Sequence, residues 1–319
     1  LILLIIIVLP LVLLSRVEGM VKEEMNKNLD ATADFNDADL TIISSFPDFT
    51  LSVKDFSIVG KGDFKGDTLL SVVDFSVKMD FWTVVKGEEF EIQSMKIDRP
   101  YVNVIKNKDG VMNTDIAKET SEKEESSFSL RMEEFIISNG RLAYTDYSGN
   151  PQNPDRLLIK GINQNATTAY SAELAEYKSE VIIDQILYNE YPPYHIEFIT
   201  DAYYHTDSSL IRLRENRLSI NELDLAWDGW ARFLDEEQLE MDFVISSGTE
   251  TFKDILSLLP SAQLQQLEGV EANGEINVGG FARGVYGPET FPNFDLGLDI
   301  ISASLKYPDL PNTITNINV

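Results

Sequence analysis

The stretch FEIQSMKI, Phe90 to Ile97, alternates apolar and polar residues and then slips by one in its middle. Phe90 and Ile92 face one side of a regular strand, which leaves Met95 and Ile97 out of phase and facing the other. The slip recurs in LSVKDFSI (Leu51, Val53, Phe56, Ile58), in LRMEEFII (Leu130, Met132, Phe135, Ile137, with Ile136 filling one gap) and in LSINELDL (Leu218, Ile220, Leu223, Leu225). The residues at the slips, Lys54-Asp55, Gln93-Ser94, Glu133-Glu134 and Asn221-Glu222, are all polar and suit a β-bulge. A bulge sets two residues against one, returns the apolar side chains to a common face and bends the strand. Repeated along a sheet, it predicts a mainly β chain built as a long, curved antiparallel sheet.

Punctuation along the chain agrees with that reading. Short runs rich in Val, Ile, Phe and Tyr are separated by GKGDFKGD at 60–67, NKDG at 107–110, SNG at 138–140, YSGNPQNPD at 147–155 and YPPY at 191–194. Helical interruptions are few. FWTVVKG at 81–87 suits a single turn, and TFKDILSLLPSAQLQQLEG sets Phe252, Ile255, Leu256 and Leu259 on one face, with Thr251 as candidate N-cap and Pro260 opening a second piece. KETSEKEESS at 118–127 is charged and free of apolar residues, which predicts a solvated loop.

The N-terminus opens on LILLIIIVLPLVLL, an apolar run from Leu1 to Leu14 followed by helix-permitting residues, with no small-x-small cleavage site. It predicts the outer part of a transmembrane anchor whose helix continues to about Leu29. The far end reads as another strand, and the chain is expected to continue beyond Val319. The expected organisation is an anchor and continuing helix at 1–29, a β block at 30–117, the charged loop at 118–127, and further β structure at 128–319 with the helix near 251–268.

Composition removes several function classes. The chain has 53 acidic against 26 basic residues, a net charge of −27, which argues against nucleic acid and against docking on anionic lipid by charge. It has no cysteine, so disulfides, zinc–thiolate sites and cysteine catalysis are excluded. Its two histidines, His195 and His205, accompany neither a serine nucleophile motif nor a second ligand at metal spacing. No GxSxG, Walker loop or strand-following GxGxxG occurs, and carboxylate pairs such as Glu91 with Asp98, or Asp224 with Asp228, are expected in so acidic a chain. The tyrosines around YNEYPPYHIEF and DAYYHT suit cross-strand pairing better than a sugar platform. The sequence therefore predicts no enzyme, no metal and no cofactor.

The run IQSMKIDRPYVNVIKNKDGVMN, Ile92 to Asn113, resembles the N-terminal signature of the AsmA-like proteins: a strand, a proline-led second strand, then a K-N-K-D-G-V-M-N turn. LSLLPSAQLQQLEGVEANGEINVGGFARG, Leu256 to Gly284, and LKYPDLPNTITNI are similar to that family's downstream pattern, and SFPDFTLSVKDFSI with the anchor extends the likeness over most of the chain. The match is weakest from about Asn165 to Asp224. The resemblance implies a single-pass protein of the bacterial inner membrane, with its bulk in the periplasm. Its sheet would curl into an open apolar trough along which phospholipid passes towards the outer membrane, as in TamB and the bridge-like lipid transfer proteins. The expected groove lining is Leu51, Val53, Phe56, Ile58, Phe90, Ile92, Met95, Ile97, Leu130, Met132, Phe135, Ile137, Leu218, Ile220, Leu223 and Leu225, with Val73, Phe75, Val77 and Met79 on the adjoining strand. The expected partners are phospholipid and the inner membrane. The competing expectation is an anchored scaffold whose sheet recruits envelope proteins for outer-membrane protein assembly or secretion.

Overall fold

In a computed structural model of the chain, the described residues are 22–23, 26–27, 29–41, 48–80, 90–116, 128–129, 132–171, 173–189, 191–235, 237–248, 250–251, 254, 258–259, 269–308 and 311–319, with backbone alone at 90–91, 128–129 and 250. Residues 1–21 of the expected anchor and continuing helix, the turn at 81–87 and the charged stretch at 118–127 lie outside them. Lys22, Glu23, Asn26 and Lys27 are helical, and Leu29 already forms a β-bridge, so the continuing helix stops short of Leu29. No helix among the described residues is long and apolar enough to cross a membrane. The chain divides into two compact units, Leu1–Asn165 and Ala166–Val319.

The first unit is mainly β. Its strands are β1 (Ala31–Asp34), β2 (Asp37–Thr41), β3 (Phe49–Gly60), β4 (Thr68–Met79), β5 (Phe90–Asp98), β6 (Tyr101–Lys106), β7 (Phe128–Ser129), β8 (Glu134–Asp146) and β9 (Asp155–Tyr170), which runs past the dividing point. β1 and β2 pair with successive halves of β3, β3 pairs with β4, and β4 pairs with β5 and then β6, all antiparallel. The sheet is nevertheless mixed, which corrects the purely antiparallel expectation. β5 and β6 lie parallel to β8, and β5 lies parallel to β7. Parallel neighbours need a long crossover, and the chain between β6 and β8, which contains the charged 118–127 stretch, supplies it.

A crease crosses this unit at one level. Asp55 in β3 (φ 51°), Arg99 between β5 and β6 (φ 49°), Asn139 in β8 (φ 52°) and Gly161 in β9 (φ 63°) all take the left-handed conformation. The pairing count is the same on both sides: Val53 opposes Phe75 before the crease and Phe56 opposes Val72 after it. The apolar rows are therefore five residues apart on each strand, in Val53 and Ile58, Phe75 and Leu70, Ile97 and Val102, Ile137 and Leu142. A straight strand would put such rows on opposite faces. The left-handed residues place two neighbours on the outer side, and a Cβ built on Gly140 would stand 3.3 Å from the Ile137 side chain, so the rows on either side share a face. A left-handed residue inside a strand kinks it, as a bulge does. The kinked Asn139 N–H is not orphaned, since it donates to Asn163 Oδ1 at 2.9 Å.

The second unit is an antiparallel meander. β10 (Leu174–Tyr188), β11 (Tyr194–His205), β12 (Leu210–Ile220), β13 (Leu223–Phe233) and β14 (Leu239–Ser247) pair in sequence. β14 and the short β15 (Glu250–Thr251) pair with β16 (Glu271–Tyr286), which pairs with β17 (Asn293–Lys306), and β17 pairs with β18 (Ile314–Ile317). At Thr251 the expected cap is formed reciprocally: Thr251 N–H donates to Asp254 Oδ2 at 2.7 Å, and Asp254 N–H to Thr251 Oγ1 at 3.4 Å. Asp254 is helical, and most of 252–268 lies outside the described residues.

Bulges keep one face of this unit apolar. Glu215 in β12 (φ 56°) and Ser302 in β17 (φ 52°) mark register shifts, and their N–H groups donate to Asp228 Oδ1 at 2.6 Å and Asn318 Oδ1 at 2.9 Å. The device is the one at Asn139: a carbonyl or carboxylate oxygen from the next strand takes the donor that the bulge frees, a bond worth about 1 kcal/mol net.

Candidate functional site

The four slips resolve into four different local structures. In β5 the register shifts by one between Ile92 and Ser94, so Gln93 is the extra residue and the bulge falls at Gln93-Ser94. Ile92, Met95 and Ile97 then oppose Met79, Val77 and Phe75, which alternate on one face of β4. Gln93 Nε2 donates to Asp48 on the other side, and Ser94 Oγ donates to Glu134 Oε2. At Asp55 the strand kinks without an extra residue. At Glu133-Glu134 there is no bulge inside a strand, because β8 begins at Glu134. At Asn221-Glu222 the expected bulge is a two-residue hairpin: Ile220 opposes Leu223, Leu218 opposes Leu225, and Asn221 has φ 52°. Asparagine tolerates that conformation, and its Oδ1 accepts from His195 N–H at 2.8 Å.

In the first unit the expected lining residues assemble into rows. Leu51, Val77, Met95 and Phe135 lie side by side, as do Val53, Phe75, Ile97 and Ile137. Phe56 and Ile58 follow on the far side of the crease, opposite Val72 and Leu70. Val73 does not join them. It falls at the kink opposite Asp55 and is 37% exposed, while Val72 takes the row at 6%, because the crease breaks the alternation of β4. Met132 is half-buried just before β8, Leu130 lies outside the described residues, and Phe90 is described in its backbone alone. The opposite face carries Lys78 with Asp48 at 2.7 Å and Lys96 with Glu134 at 3.0 Å. The Lys96 bond, then the Ser94 bond, hold the Glu134 carboxyl below its usual range.

In the second unit Leu218, Ile220, Leu223 and Leu225 belong to a far larger surface than the alternation suggested. One row runs through Val181, Phe198, Leu218, Leu225, Ser247, Val278 and Leu298, one residue from each of seven strands. The next runs through Asn216, Trp227, Ile245, Gly280 and Leu296, with the rings of Phe198 and Trp227 at 5.3 Å. Adjacent strands stand about 4.8 Å apart, so seven strands carry the row about 29 Å. At β17 the surface lies open: Phe294 is 71%, Leu296 69% and Leu298 49% exposed.

A hollow of about 280 Å³ sits there, with Trp227, Phe243, Ile245, Ala282, Phe294 and Leu296 in its wall. It exists because Gly280 and Ala282 contribute almost no side chain to rows otherwise filled by large residues. At Gly280 a Cβ would stand 2.2 Å from Asp295 O, so the close approach of β17 requires glycine. The reverse face carries ion pairs, Arg283 with Asp242 at 2.9 Å and Arg232 with Glu240 at 3.7 Å, together with the exposed pair Val244 and Phe281.

The sequence signal for these missed residues was present, in NVGGFARG and NFDLGLDI, but glycines and acids interrupt it. Across strands the gaps fill. Two polar residues interrupt the face: Ser247, whose Oγ accepts from Val278 N–H at 2.7 Å, and Asn216, which is 1% exposed. Asn216 Oδ1 accepts from Asp201 N–H at 3.0 Å and its Nδ2 donates to Asp201 O at 3.4 Å, bridging β12 to β11 beside the Glu215 bulge.

Three of the carboxylates singled out in the sequence have partners elsewhere. Asp224 accepts from Ser219, Asp228 from the Glu215 N–H, and Asp98 pairs with Arg99. Among the described residues no group of three or more His, Asp or Glu side chains is placed to hold a metal ion. No family model matches the chain, and no curated protein matches it.

Proposed function

We propose that the chain binds phospholipid tails on its apolar sheet faces and conducts lipid along them. It would do so as a periplasmic, inner-membrane-anchored protein of the AsmA-like kind that Ile92 to Asn113 and Leu256 to Gly284 resemble. The observation that carries this reading is the seven-strand row of the second unit, apolar at every position but Ser247.

The physical argument is one of transfer. An exposed acyl chain costs about 0.8 kcal/mol for each CH₂. A row about 29 Å long accommodates roughly twice the 15 Å that one leaflet's tails occupy, so it offers a tail several equivalent positions. Along these rows the apolar side chains of neighbouring strands stand side by side, so a tail shifts from one strand to the next while keeping most of its apolar contact. Acidic residues on the reverse face keep the outer surface hydrated.

Photo-reactive residues placed singly at Phe75, Ile92, Phe135 and Leu298 test the reading, with the full chain expressed in a bacterium and the adducts identified by mass spectrometry. Phospholipid adducts at sites in both units are the expected result. Protein adducts alone, or none, would refute lipid conduction and favour the scaffold.

A further inference from the structure

We propose that Thr200 holds an ester carbonyl of a diacyl lipid, giving the apolar face of the second unit one fixed point for the glycerol end of a lipid whose tail lies across β12, β13 and β14. This site rests on the lipid-binding reading above and gives that reading a ligand class, the acyl esters.

Thr200 lies in β11 two residues from Phe198, in a register with β10 that is unbroken from Leu174 to Ile183, so it shares the apolar face with Phe198. Ser179 stands opposite it, and the pairing of Ile199 with Arg217 brings Asn216 beside it. The three form a small polar island at the head of the row that continues through Trp227, Ile245 and Gly280. Ser179 is 6% exposed, and Asn216 uses its side chain on the backbone of Asp201. Thr200 differs. The residue is partly open, yet its Oγ1 is buried and has no hydrogen-bond partner among the described residues. Buried hydroxyls are nearly always bonded, because one left without a partner destabilises the fold around it. Valine would suit the same strand without that penalty, so the hydroxyl points to an acceptor that the protein itself does not supply.

The surroundings select the acceptor. Around Thr200 on this face stand Phe198, Ala202, Val181, Leu218 and Trp227, none of them charged, while Lys178 and Arg217 fall on the other face. A carboxylate or phosphate here would lose water without gaining a cation, whereas a neutral ester carbonyl needs one donor and is otherwise in apolar company. A turn about χ1 exchanges the hydroxyl with the methyl and carries the O–H to the open side of the residue. Length agrees as well. Three strand spacings, from β11 to β14, cover about 14 Å, and one leaflet's tails occupy about 15 Å, so an ester at Thr200 puts the tail end over Ile245.

The test uses the full chain in detergent, titrated under native mass spectrometry with a diester phosphatidylcholine, with its diether analogue of the same tails and headgroup, and with palmitate. The diester is expected to bind about tenfold tighter than the diether, the factor that one hydrogen bond of ordinary strength gives. In T200V the two should bind alike, at the diether's wild-type affinity, and T200S should keep the preference. Because the free protein leaves the hydroxyl unpaired, T200V should also raise the urea midpoint, which separates loss of a ligand bond from damage to the fold. Equal binding of diester and diether by the wild type would overturn the ester site and leave tail binding standing, whereas binding of neither lipid would overturn both. A diester preference that survives in T200V, palmitate bound more tightly than the diester, or a lowered midpoint in T200V would each overturn the site.

Discussion

Replacing Asn216 by alanine tests how the second unit keeps its apolar face continuous. Asn216 bridges β12 to β11 through both polar groups of Asp201, next to the bulge at Glu215. That bulge is what returns Leu213 and Ile211 to the face of Leu218 and Ile220. In Asn216→Ala the Asp201 N–H and C=O lose their partner. A buried backbone group left unpaired costs about 1–3 kcal/mol, and because Asp201 is half-buried the lower part of that range applies. Two groups give an expected loss of about 2–3 kcal/mol. Urea unfolding followed by tryptophan fluorescence is suited to it, since Trp227 lies directly opposite Asn216. With a slope near 2 kcal/mol per molar urea, the midpoint should fall by about 1–1.5 M. A shift below about 0.3 M would show that Asp201 finds other partners at no cost, and that the bulge does not depend on this side chain.

Three further outcomes are expected. Asn221→Val should be about 1–2 kcal/mol less stable than Asn221→Gly by urea unfolding, because both lose the bond to His195 N–H but only valine resists φ 52°. Gly280→Val should destabilise by about 1–3 kcal/mol, read as a lowered thermal midpoint, since its Cβ would stand 2.2 Å from Asp295 O. Asp146, held below the usual carboxylate range chiefly by the Ser148 hydroxyl and N–H, and Glu134, held down by Lys96 and Ser94, both bind fewer protons folded than unfolded. Their stabilisation is complete above the ordinary carboxylate value near 4 and is lost as pH falls through the folded values. The urea midpoint followed from pH 6 to pH 2 should therefore decline below about pH 4 and less steeply in D146N.

Several features were decided by the sequence alone. Alternation between turn residues makes the chain mainly β, because a period of two cannot bury one face of a helix. The polar pairs at 54–55, 93–94, 133–134 and 221–222 mark where the alternation must be reset. The same local pattern, however, satisfies a kink at Asp55, a bulge at Gln93, a strand start at Glu134 and a hairpin at Asn221. Only the position of the neighbouring strand chooses among them: β4 continues past Asp55 in unbroken register, and it meets β5 with one residue to spare at Gln93. At Asn221 the chain itself turns back to become the neighbour. The parallel placement of β8 beside β5 and β6 is likewise invisible locally, since alternation is the same for either direction. Trp227, Phe243 and Leu296 were missed for the converse reason. Their own strands are interrupted by glycine and aspartate, and the apolar face to which they belong exists only across strands, where pairing sets residues far apart in the chain side by side.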